Sequence, residues 1–194
     1  MSERRDLDII TSLVPHGSRV LDLGCGNGEV LAHLTTHHGC SGYGIEIADE
    51  NVLASMRRGV NVIQLNLEDG LALFDDASFD VVLQLDTLQN LRNTEKMLIE
   101  TARVGRAGIV SFPNFAHWKN RLAILRGRMP VTKTLPYQWY DTPNIRVGTY
   151  ADFEVLARKT GLRVLDSFGL QDGLPVRRWP NLRATTAVFK FDRG

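Results

Sequence analysis

Asp22, Gly24, Gly26 and Gly28 occupy alternate positions of the segment VLDLGCGNGE, residues 20–29, and Glu46 follows 18 residues after the last glycine. Glycines reach the left-handed backbone region without a Cβ clash and let a ligand approach the main chain closely. An apolar run precedes the loop, and Val30, Leu31 and Leu34 follow it at helical spacing, so the loop leads from a strand into a helix N-terminus. Free N–H groups and the helix dipole there suit an anionic group such as a carboxylate. Glu46 closes the next apolar run, GYGIE, where an acid at a strand tip accepts hydrogen bonds from ribose hydroxyls. The plainer readings are a tight strand–helix turn around a buried aspartate, and a solvated glutamate.

The spacing discriminates among nucleotides. A dinucleotide fingerprint would read GxGxxG, but Glu29 stands at the third glycine's place counting from Gly24, and Leu31 does so from Gly26. The GK[ST] ending of a phosphate-gripping loop is also missing. What remains is the E/DxGxGxG pattern of domains that bind S-adenosylmethionine (SAM). On this reading Asp22 helps to hold the amino group of the methionine moiety, directly or through water. Gly24, Cys25, Gly26 and Gly28 form the loop, and Glu46 with Ile47 serves the ribose side. The third strand tip, Asn66 and Leu67, faces the adenine. An aspartate commonly accepts from the exocyclic amine there, and the Asn66 amide oxygen can accept without charge assistance. Gln84, near the tip of the fourth strand, completes the expected binding set for SAM or S-adenosylhomocysteine.

A methyltransferase mainly orients a nucleophile and sometimes removes its proton, because SAM carries its own leaving group. Asp86, beyond the fourth strand, and His117, in the block PNFAHW, are the candidate bases. Helix capping for Asp86 and simple packing for His117 are the plainer roles. His33 and His37 are four apart on a helical stretch, with His38 beside them, but no Cys, Asp or Glu completes a metal site, so no metal is expected. No GxSxG nucleophile motif is present.

These residues need a scaffold of alternating strands and helices, and the periodicity supplies one. It predicts strands over 19–23, 41–45, 61–64, 80–85, 107–112, 163–168 and 185–191. It predicts helices over 29–36, 51–57 and 94–104, and a further one opening at Thr149 with capping-box spacing to Asp152. Such alternation makes an α/β fold with a largely parallel sheet, expected as a single domain over 1–194. The formal net charge of +1 gives no bulk electrostatic case for nucleic acid or an anionic membrane. No apolar run approaches membrane-spanning length, and Cys25 and Cys40 form no disulfide framework, so a reducing cytoplasmic setting is expected. Residues 113–148 break the rhythm: Lys119, Arg121, Arg126, Arg128, Lys133 and Arg146 face a single acid, Asp141. This insertion also carries Trp118, Tyr137, Trp139 and Tyr140, which fit a lid over the pocket, a docking surface, or a cluster packed on the sheet.

Residues 20–28, 42–46, 61–64, 109–118 (IVSFPNFAHW) and 129–145 (MPVTKTLPYQWYDTPNI) together resemble the MetW family of bacterial methionine-biosynthesis proteins. The resemblance implies a Rossmann-like class I methyltransferase fold, seven-stranded, in the order 3-2-1-4-5-7-6 with the last strand antiparallel. It also implies a role beside homoserine O-acyltransferase, of acetyl or succinyl type, which activates homoserine early in methionine synthesis. Leu65-Asn66 departs from the Gly-Asp usual in the family, which weakens the adenine contact. An accessory subunit with a SAM pocket is therefore the expected function. The alternative is a methyltransferase acting on a small molecule, with RNA or protein methylation a weaker third.

Overall fold

The computed structural model describes residues 2–194, with side chains from residue 6 onward. Among these residues eight strands form one sheet: β1 (Arg19–Leu23), β2 (Ser41–Glu46), β3 (Val62–Gln64), β4 (Phe79–Leu85), β5 (Gly105–Pro113), β6 (Leu162–Gln171), β7 (Leu174–Val176) and β8 (Thr186–Arg193). Their spatial order is β3-β2-β1-β4-β5-β8-β6-β7. The first five pair in parallel, while β8 runs antiparallel between β5 and β6.

The order agrees with the expectation, but the count of seven strands is corrected to eight. The added strand, β7, is the return arm of a hairpin on β6. Asp172 and Gly173 form its two-residue turn, both at positive φ (52° and 77°), the geometry that matches strand twist and favours Asp-Gly.

The helices are α1 (Ser2–Thr11), α2 (Glu29–His38), α3 (Asp49–Arg57), α4 (Thr94–Val104), α5 (Trp118–Leu125), α6 (Tyr150–Lys159) and α7 (Pro180–Arg183). Strand side chains alternate between faces, so Val20, Val81, Leu83 and Ile109 meet Ile10, Leu31 and Leu34 of α1 and α2 on one side. On the other, Val110, Phe189 and Phe191 meet Leu98 and Ala102 of α4 and Phe153 and Ala157 of α6. The central strands are buried on both faces and therefore read as continuous apolar runs. Among the described residues no helix is long and apolar enough to cross a membrane.

Local chemistry sets the helix ends. Thr149 accepts from the Asp152 N–H at 3.1 Å, and its hydroxyl donates to the Asp152 carboxylate at 2.7 Å, which starts α6. Gly161, at φ 73°, follows its last turn. α1, α5 and α7 lie outside the predicted helices.

The insertion is clasped at its base, where the Phe115 N–H donates to Gly148 O at 2.9 Å. Asn114 locks this clasp from within. It is 1% exposed, aims Nδ2 at the carbonyls of Pro180, Asn181 and Ala184, and accepts at Oδ1 from the N–H groups of Ala116 and Tyr150. Asn114→Ala leaves these groups unpaired and is expected to lower unfolding free energy by about 3 kcal/mol in urea melts. Asn114→Asp should not rescue it, because a carboxylate cannot donate to the three carbonyls.

Candidate functional site

The tips of β1, β2 and β4 converge around the glycine loop, at the carboxyl ends of the parallel strands where such sheets bind ligands. Gly24 and Gly28 are both at φ 76°. A Cβ at Gly24 would lie 2.6 Å from Thr87 Oγ1, and one at Gly28 would lie 2.8 Å from Ser55 Oγ. The loop is thus pressed onto two hydroxyl-bearing side chains, and the Thr87 hydroxyl donates to Leu23 O at 2.9 Å beneath it. Gly26, by contrast, faces open space: among the described residues nothing lies within 4 Å of its Cβ position.

Asp22 stands at the end of β1, 1% exposed, and its Oδ2 has no hydrogen-bond partner among the described residues. Burial, with the nearby Glu46 charge second, pushes its pKa up to about 7. A buried carboxylate oxygen without a donor beside an open glycine is the feature a ligand ammonium or a bridging water would satisfy. Glu46 is also buried, and its Oε2 accepts from the Gly26 N–H at 2.9 Å. Its Oε1 accepts from the N–H groups of Ile47 (2.8 Å) and Ala48 (2.9 Å), the chain entering α3. A carboxylate has about four acceptor sites, so capacity for a ribose hydroxyl remains. Ile47 is 58% exposed and Leu67 is buried, an apolar pair on neighbouring strand tips.

One expected contact is placed differently. Asn66 caps the short turn Leu67–Asp69, its Oδ1 accepting from the Glu68 N–H at 3.0 Å, which leaves one lone pair of that oxygen for a ligand. Gln84 is corrected: it is fully buried and donates to Thr101 Oγ1 of α4 at 2.7 Å. Strand alternation turns it, like Val82, toward the α4 side of the sheet.

Cys25 packs in the loop against β2, and burial, followed by Asp22, pushes its thiol up to about 12. A thiol held protonated is a poor nucleophile. Cys25 is therefore expected to resist iodoacetamide at pH 8 in the folded protein and to react once urea unfolds it, read by mass spectrometry.

Beyond the tips of β4 and β5 lies a cleft of about 460 Å³ to which Asp86, His117, Lys119, Lys133 and Tyr137 all contribute. The structure thus brings together the two candidate bases, which are 31 positions apart in the chain. Asp86 sits at a strained φ of 50°, held by its N–H on Ser111 O at 3.0 Å and by the Gln89 amide on its carbonyl at 2.8 Å. The protein crowding its carboxyl raises its pKa, with Asp6 adding to the effect. His117 is 3% exposed, and burial and then Lys119 lower its pKa, which favours the neutral imidazole. Trp118, Tyr137, Trp139 and Tyr140 stand 47–71% exposed along the insertion, Tyr137 lining this cleft and Trp139 edge-on to Tyr140 at 5.7 Å. On α2, His33 rests against His37 at 4.5 Å, and the described residues hold no cluster of three metal-ligating side chains.

A family model described as methionine biosynthesis protein MetW matches residues 4–191. The chain belongs to the MetW family. A bifunctional methionine biosynthesis protein MetXA/MetW from Rhodopirellula baltica is 39% identical over 203 aligned positions, covering 97% of this chain and 32% of that protein. The chain spans about a third of the length of the first curated relatives it matches. A SAM-dependent methyltransferase from Thermotoga maritima superposes with a TM-score of 0.71 at 19% identity, covering 98% of this chain and 88% of that one. Magnesium protoporphyrin IX methyltransferase from Synechocystis, with S-adenosylhomocysteine bound, gives 0.70 at 17% identity, covering 100% and 84%. This MetW chain therefore has the Rossmann-like class I methyltransferase fold.

Three contributors to the candidate site escaped the sequence reading. Thr87 and Ser55 seat the glycine loop, and Gln89 links Asp86 to the insertion by accepting from the N–H groups of Ile145 and Arg146 at 3.0 Å each. Only Thr87 and Gln89, beside Asp86 in the chain, carried any local signal.

Proposed function

We propose that this chain is a SAM-binding accessory subunit that partners homoserine O-acyltransferase in methionine biosynthesis. The observation that carries the partner role is the aromatic row of the insertion, with Trp139 and Tyr140 each 71% exposed. Large aromatics held in water on a clasped segment suit an interface, where Trp and Tyr supply most of the binding energy. The Rhodopirellula relative, whose name joins MetXA to MetW in one protein, supports the same pairing. SAM supplies, when bound, a methyl group on a sulfonium that is its own leaving group. Asp22 would take its ammonium, Glu46 a ribose hydroxyl, and Ile47 and Leu67 the adenine faces. SAM lies downstream of methionine, so the subunit would report end-product level to the acyltransferase.

The test is to assay purified homoserine O-acyltransferase from the same organism with and without this protein. A gain in rate or in soluble active enzyme is expected, reduced about tenfold or more in Trp139→Ala/Tyr140→Ala. Unchanged activity, with no co-purification, would overturn the partner role. SAM titration that leaves the acyl-transfer rate unchanged would remove the reporting role alone.

A second reading, a methyltransferase on a small molecule, is favoured by the shared cleft of Asp86 and His117. There Asp86 would accept the proton of the acceptor nucleophile. Labelled SAM incubated with cell extract should then mark a small molecule, and the Asp86→Asn protein should not.

A further inference from the structure

A separate cavity of about 470 Å³ opens between the start of α4, the insertion's clasp and the first turns of α6. Its inner wall is apolar, with Leu88, Phe112 and Phe153 buried and Phe115, Leu135 and Leu156 partly so. Arg92 and Arg146 stand exposed at its rim. Among the described residues the Arg146 guanidinium donates to two carbonyls, of Arg92 at 2.8 Å and Ile145 at 3.3 Å. Among the described residues neither arginine forms an ion pair with a carboxylate. Of the two rim acids, Glu95 is paired with Lys159 at 2.8 Å, while Asp152 accepts from the neutral Thr149 hydroxyl at 2.7 Å and keeps its charge.

We propose that this cavity binds an amphipathic organic anion, a carboxylate carried on an aliphatic chain or an aromatic ring. The volume falls in the roughly 300–1,000 Å³ range of small-molecule sites, and an apolar interior with a few convergent polar groups is their usual make-up. Apolar walls that face a void forgo dispersion contacts that a hydrocarbon would restore. Two guanidiniums without a carboxylate partner, against the single carboxylate of Asp152 left on the rim, favour an anion, since their planar forks match a carboxylate and shed water more readily than an ammonium does. A neutral ligand would leave that charge unused, and a cation would oppose it. The cavity lies apart from the glycine loop, yet Gln89, Pro113 and Asn144 line both it and the cleft that holds Asp86. An occupant would therefore press on the same short wall that closes the Asp86 cleft.

Calorimetric titration of the purified chain with octanoate, octylammonium and octanol tests the proposal. One octanoate per chain is expected, bound at least about tenfold more tightly than octylammonium or octanol. In Arg92→Gln/Arg146→Gln, both changes on exposed side chains, that preference should vanish while circular dichroism stays native. Leu156→Trp, which fills the inner end, should weaken octanoate and octanol together. Absence of saturable binding up to millimolar octanoate would overturn the proposal. So would equal affinity for the ammonium, or octanoate binding unchanged by the arginine replacements.

Discussion

Asp22→Asn is expected to make the ligand-free protein more stable above neutral pH and to make it a poor binder of SAM. Burial lifts the Asp22 carboxyl from 3.8 to about 7, so between those values the native state holds a proton that the unfolded chain has released. Stability then falls as pH rises, by about 1.4 kcal/mol per pH unit. The contribution is fully present below about pH 4 and is lost by about pH 7. The variant's amide carries no charge to desolvate, so its advantage should be absent near pH 4 and reach a few kcal/mol at pH 8. Urea melts at pH 5, 6, 7 and 8 read this directly, and a difference that does not grow with pH would remove the claim. Ligand binding should show the opposite trend. An ammonium pairs with the ionised form, so SAM affinity of the native protein should rise about tenfold per unit between pH 5 and 7 and then level off. In the variant the rise should disappear, and affinity should stay low throughout.

Glu46→Gln should cost both fold and ligand, although it changes one atom. Each Glu46 oxygen faces N–H donors, Gly26 on one side and Ile47 with Ala48 on the other. A glutamine amide must turn its NH2 toward one side, donor against donor, and leaves at least one buried N–H unpaired. The expected loss is about 2–3 kcal/mol in stability, from an unsatisfied donor plus a lost charge-assisted bond. SAM affinity should fall more than tenfold, because the loop loses its anchor at Gly26 and the ribose loses a charged acceptor. Paired thermal melts and titration calorimetry give both numbers. Retention of native stability would mean the three N–H groups find other partners.

The glycine loop and Glu46 were legible in the sequence because their geometry is local: a strand, three glycines and a helix lie in consecutive residues. The strand order was legible only through family resemblance, since no residue of β8 announces that it will slip between β5 and β6. Gln84 was misplaced because the side a strand residue faces depends on register with neighbours far away in the chain. Thr87 and Ser55 were missed for a related reason, as each fills a space that exists only once the loop folds over it. The Asp172-Gly173 hairpin was different. Its turn signal stood in plain view, within a tail that was read only for its last strand. The helix α5 and the cavity under the insertion depend on the Asn114 clasp, which joins residues 66 to 70 positions apart.

β8 comes last among the strands in chain order, yet it lies inside the sheet, pairing with β5 on one edge and β6 on the other. During synthesis β1 to β5 can assemble as each crossover segment emerges, whereas β6 and its hairpin must wait. Until residues 186–193 leave the ribosome, two sheet edges stay unpaired, and Phe112 and Phe153 lack the Phe189 ring that packs against both. Nascent or truncated chains would therefore carry open strand edges beside bare aromatic surface, the combination that recruits chaperones or seeds aggregation. Final closure joins segments distant in sequence, so it should set the pace of folding.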